Sequence, residues 1–95
     1  MYAAKFIHLF LQLDRKEKQN LKLWVHSPFA NAREDVAHLF DFIYAKRIIT
    51  VENVDKKLAF KFVYPNKKYN EQQLRYLMSF ATKCMEDFLS YYQRQ

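Results

Sequence analysis

Ninety-five residues suffice for one small domain, and two separately cored domains would be unusual at this length. Apolar residues make up 51% and charged residues 27%, enough for a buried core, while the absence of glycine disfavours hairpin-rich sandwiches, Rossmann folds and P-loops, which need turns with positive φ. Sixteen Lys and Arg against ten Asp and Glu give +6, which permits contact with nucleic acid, an anionic membrane or an acidic protein face but concerns association rather than fold.

Residues 3–13 read as a first helix, with Lys5, His8 and Gln12 in one polar stripe and Phe6, Ile7, Phe10, Leu11 and Leu13 over the remainder. The apolar run from Phe6 to Leu13 is too short for a membrane span and no small-residue cleavage site follows, so it is a core helix, with Met1 expected to be the natural start. Asp14 with Glu17 has the spacing of a capping box and opens a second helix, whose buried stripe is Leu21, Trp24 and Val25. That helix must end near Ser27, because Pro28 disfavours helical geometry in the residue before it.

Asn31 and Glu34 repeat the pairing and predict the start of a third helix. Val36, Leu39, Phe40 and Ile43 fall at i, i+3, i+4 and i+7 within it. Ile48 and Ile49 form a short link, after which Thr50 is expected to cap a fourth helix over 51–63. Val51, Val54, Leu58 and Phe62 are assigned to its buried face, with Lys56, Lys57 and Lys61 towards solvent. Tyr64 and Pro65 end it, and Asn66 to Tyr69 make a turn in which Asn can adopt the left-handed conformation.

Asn70 with Gln73 opens a fifth helix running to about Tyr92, roughly 33 Å at 1.5 Å per residue. Leu74, Leu77, Met78, Ala81, Cys84, Met85, Phe88, Leu89 and Tyr92 make its apolar stripe; Tyr76, Phe80 and Tyr91 lie off it. The last residues carry no stop signal, as if cut from a longer protein. The expected fold is all-α: one domain over 1–95, a compact irregular or orthogonal bundle of about five helices with a long C-terminal helix.

Catalytic chemistry has no candidate. His8, His26 and His38 fall on three different predicted helices without evident carboxylate partners, which argues against a metal site. Cys84 is the only cysteine, so no internal disulfide can form; its place in an apolar stripe argues for a buried small side chain, and a reducing cytoplasm fits. Neither cofactor nor metal is expected.

Two features point to partners. Lys56, Lys57, Lys61, Lys67, Lys68 and Arg75 are interleaved with Tyr64, Tyr69 and Tyr76, residue types suited to phosphate neutralisation and base stacking. The same tyrosines could equally pack the turn between two helices while the lysines solvate it. A helix-turn-helix reading, with the fourth helix entered at Ile49-Thr50-Val51-Glu52, lacks a set of side chains suited to reading bases. The second feature is aromatic excess: nine Phe and seven Tyr exceed what one small core needs. Tyr76, Phe80 and Tyr91 are the surplus, either covered by the first helix or exposed as a docking patch.

Ser27-Pro28-Phe29-Ala30-Asn31 before Leu39-Phe40, then Tyr64-Pro65, Tyr69-Asn70, Leu74-Arg75, Met78-Ser79 and Glu86-Asp87-Phe88-Leu89 form an ordered series over nearly the whole chain. In these the sequence resembles the N-terminal region of a family of larger, mostly helical bacterial proteins of unknown function. It departs from that pattern at Ala30, where an aromatic is usual, and at Asn66, where glycine is. The resemblance implies a helical region following Gln95 and supplies no activity. The expected role is therefore a non-enzymatic helical interaction or scaffolding domain that docks a downstream helical region or a protein partner. The alternative is nucleic-acid binding through the basic segment 56–75.

Overall fold

The computed structural model describes residues 2–27, 33–46, 50 and 55–93, and in it five helices follow one another: α1 (Tyr2–Leu11), α2 (Arg15–Val25), α3 (Glu34–Ala45), α4 (Lys56–Val63) and α5 (Glu71–Gln93). Side-chain caps set the starts of α2, α4 and α5. The described residues contain no strand, and the expected all-α fold with a long C-terminal helix is the observed one. At α2 the capping box is complete: Asp14 accepts from the Glu17 N–H at 2.7 Å and Glu17 accepts from the Asp14 N–H at 2.9 Å. Such a cap is worth about 1 kcal/mol. At α5, Asn70 accepts from the Gln73 N–H at 3.1 Å, the expected cap.

The starts of α3 and α4 differ from expectation. The N-cap of α3 is Arg33, with no side-chain hydrogen bond, and Asn31 lies outside the described residues. Helix α4 begins at Lys56 rather than 51, because Asp55 is extended and its carboxylate accepts from the N–H groups of Lys57 and Leu58. Asp55 thus satisfies two first-turn donors of the helix that begins at Lys56. Val51 and Val54 lie outside the described residues, and so do Ile49 and Glu52 of the helix-turn-helix reading. The other half of the α4 assignment is reversed. Ala59, Phe60 and Val63 are buried, whereas Leu58 and Phe62 are about half exposed. The segment Leu58-Ala59-Phe60-Lys61-Phe62-Val63 carries apolar residues on two adjacent stripes, so periodicity alone cannot choose between them.

Helix α5 is the central element, packing most extensively on α1 and also on α2 and α3, while α3 further contacts α2 and α4. The core joins Phe6, Ile7 and Phe10 of α1, Leu21 and Val25 of α2, and the expected Val36, Leu39, Phe40 and Ile43 of α3. The α5 stripe from Leu74 through Phe88 completes it, with Leu89 and Tyr92 partly buried at its edge. Phe6 meets Phe40 edge-on with ring centroids 5.6 Å apart. Thr82, the one buried polar side chain among the described residues, donates its hydroxyl to the Met78 carbonyl at 2.8 Å and so enters the core satisfied. Helix α1 stops at Leu11, two residues early, and its last residue is exposed on the surface.

Candidate interaction surface

Of the surplus rings on α5, all three are outside the core: Tyr76 is 57% exposed, Phe80 47% and Tyr91 46%. They do not form one patch. Tyr76 and Phe80 are a turn apart, with Gln72 donating to the Tyr76 hydroxyl at 3.0 Å and the Arg33 guanidinium 4.8 Å from the Phe80 ring centre. Tyr91 sits eleven positions further on, roughly 17 Å along the axis. The exposed Lys83 and Asp87 lie on the helical stripe between them. Its ring rests on Trp24 of α2 at 5.0 Å, and Trp24 also meets Phe88 at 6.0 Å. All three stay about half exposed, so packing of α1 on α5 does not bury them.

In the basic segment, the tyrosines are chiefly packing elements. Tyr64 and Tyr69 both lie against Phe60, with centroids 5.0 and 5.5 Å away. Lys67 stands 5.1 Å over Tyr64 and Lys57 stands 6.0 Å from the Tyr69 ring centre. Lys56 pairs with Glu71 at 3.4 Å. Lys61, Lys68 and Arg75 are exposed. Burial, together with the hydrogen bond to Asp35 and its charge, raises the Tyr64 phenol from 10.0 to about 12. The ring faces that could stack on bases are thus partly occupied by the segment's own lysines.

A more concentrated site lies elsewhere, between α1, α2 and the end of α3. There a cleft of about 470 Å³ is lined by Arg15, Lys18, Lys22 and Lys46, without a carboxylate. Arg15, Lys18 and Lys22 stand at i, i+3 and i+7 on α2, so one helical face carries all three. Lys46, the C-cap of α3, contributes from the opposite wall. The rest of the lining includes Phe10, Leu11, Ile43 and Tyr44. Tyr44 donates to the Lys18 carbonyl, fixing α2 against α3, and burial raises its phenol well above the ordinary value of 10.0, so it is neutral at physiological pH.

The lysines of the cleft are held by rings. Lys18 lies 5.2 Å from the Phe10 centroid, Lys22 5.7 Å from that of Tyr44, and Lys46 5.1 Å from that of Phe42. Such contacts are worth about 0.5–1 kcal/mol at exposed sites. Most described carboxylates have local partners, and Asp41 also lines a smaller concavity with Lys22 and Tyr44. Asp14, Glu17 and Asp55 cap helices; Asp35 takes Arg33 and Tyr64; Asp41 meets His26 at 2.9 Å; Glu34 lies 3.9 Å from His38. The last two pairings correct the expectation that the histidines lack carboxylate partners. Glu34 and His38 share one helix face at i, i+4, and tertiary packing brings Asp41 to His26. Among the described residues, no group of three or more His, Cys, Asp or Glu is placed to hold a metal ion. No helix among them is long and apolar enough to cross a membrane.

Cys84 is buried, and burial followed by the negative charge of Asp87 pushes its thiol upward. The Trp24 indole nitrogen is itself buried and has no oxygen or nitrogen acceptor. The cationic cleft was missed in the sequence because its halves lie far apart along the chain. The signal that could have found it is the uninterrupted basic face Arg15, Lys18 and Lys22. Compared with protein-family models, curated proteins and solved structures, the chain matches none.

Proposed function

We propose that this is a non-enzymatic helical interaction domain that binds an acidic segment of a protein partner in the cleft between α1, α2 and the end of α3. One observation carries the reading: four cationic side chains line a single concavity without a carboxylate among them. Concentrated charge of one sign in a cleft focuses the field and attracts a ligand of the opposite sign. The exposed Tyr76 and Phe80, with Arg33 beside them, offer a second contact region of the type that protein interfaces favour.

Nucleic-acid binding through Lys56, Lys57, Lys61, Lys67, Lys68 and Arg75 would use different residues, and one experiment separates the two. A fluorescent glutamate-rich peptide and a labelled single-stranded oligonucleotide are titrated, at low and moderate salt, against wild type, Lys18→Glu with Lys22→Glu, and Lys67→Glu with Lys68→Glu. The proposal expects peptide binding that weakens with salt, that the first double substitution abolishes and that the second leaves nearly intact. Absence of peptide binding at low salt, or sensitivity only to Lys67→Glu with Lys68→Glu, would overturn it. Circular dichroism of both variants checks that the bundle is retained.

A further inference from the structure

Resting on that reading, we infer that the cleft's preferred ligand is an acidic segment carrying one apolar anchor side chain between its carboxylates. The cationic groups surround a partly apolar interior. Leu11, the last residue of α1, is 42% exposed and lines the cleft. A large aliphatic side chain left this open is ordinary on its own. Here it stands beside the partly exposed Tyr44 ring and the methylene stems of Arg15, Lys18 and Lys22, which extend the apolar surface while their charged heads reach water. Phe10 and Ile43 close the cleft from beneath and are themselves almost fully buried.

The geometry favours this ligand over its neighbours in chemistry. A purely acidic chain would satisfy the cations and leave Leu11 and the stems in water. A single strand binding by base stacking would need open ring faces, and the rings here already carry Lys18 and Lys22. An apolar anchor needs only concave apolar surface, and the volume of about 470 Å³ falls in the usual range for ligand pockets. Arg15 and Lys22 are separated by roughly 10 Å along α2, so carboxylates on both sides of a single anchor can each meet a cation. Lys46 lines the far wall, with its ammonium resting over Phe42.

The test uses the full chain and two peptides of equal length and net charge, a glutamate-rich peptide with a central Leu and the same peptide with Ser there, beside an all-acidic control of the same length. A thymidine oligomer is run beside them. The expected result is that the Leu peptide binds about tenfold or more tightly than the Ser peptide, the factor that follows from burying one such side chain. Leu11→Ser should remove that preference; since Leu11 is exposed, the variant is expected to fold, and its thermal melt checks this. Equal affinity for the Leu and Ser peptides overturns the anchor while leaving acidic-segment binding intact. Tighter binding of the oligomer than of every peptide overturns the ligand class, and failure of every peptide to bind overturns both readings.

Discussion

Tyr64 donates a 2.6 Å hydrogen bond to the carboxylate of Asp35, joining the end of α4 to the first turn of α3 across 29 positions of chain. Burial and the adjacent negative charge favour the neutral phenol and raise it to about 12. The folded value lies above the ordinary value of 10.0, so its stabilising contribution is complete below pH 10 and is lost as pH rises through about 12. An ultraviolet phenolate titration is expected to contain a component near 12 that is missing in Tyr64→Phe. The variant should lose about 1.5–3 kcal/mol at neutral pH, the worth of a hydrogen bond to a charged group. It should also show a shallower decline of stability between pH 10 and 12. Superimposable alkaline stability curves for the two proteins would contradict this assignment.

The phase of α4 makes a sharp contrast between two phenylalanines two residues apart. Phe60 is 1% exposed and contacts both Tyr64 and Tyr69, so Phe60→Ala should cost about 3–5 kcal/mol. Phe62 is 51% exposed with Phe42 as its ring neighbour, and Phe62→Ala should cost about 1 kcal/mol or less. Urea denaturation of both variants measures the difference. A larger loss for Phe62→Ala would restore the Leu58–Phe62 stripe as the buried face.

Cys84 should behave as an inert thiol. Burial and Asp87 both raise its pKa, reducing the thiolate that reacts. An aromatic disulfide reagent at neutral pH is expected to modify it at least about tenfold more slowly in the native protein than in denaturant. Equal rates would show that the α5 stripe opens around it.

What could be read from sequence follows from how local each device is. The Asp14–Glu17 box and the Asn70 cap act within three residues, so their spacing identifies them without tertiary information. Val36, Leu39, Phe40 and Ile43 form the sole apolar stripe of their helix, and all four are buried. At α4 the pattern was degenerate, and the choice between Phe60 and Phe62 is made by contact with Tyr64 and Tyr69, beyond the helix. Asp55 prevailed over Thr50 because its carboxylate reaches two amide groups of the first turn. Exposure of Tyr76, Phe80 and Tyr91 hung on whether α1 would cover them, a question only packing could answer. The cleft belongs to the same class, since Lys46 and Arg15 meet across one concavity only after α2 and α3 are docked.

The rings beneath Lys18, Lys22 and Lys46 have a consequence for association. A lysine held by a carboxylate is ordered at the expense of its charge, whereas one resting on a ring keeps its full charge for an incoming ligand. Freezing a free lysine side chain costs about 1.5–2 kcal/mol in rotamer entropy, and here part of that ordering is done in the unbound protein. Contact with an anion therefore begins from groups already in position, which lowers the entropic barrier to holding it.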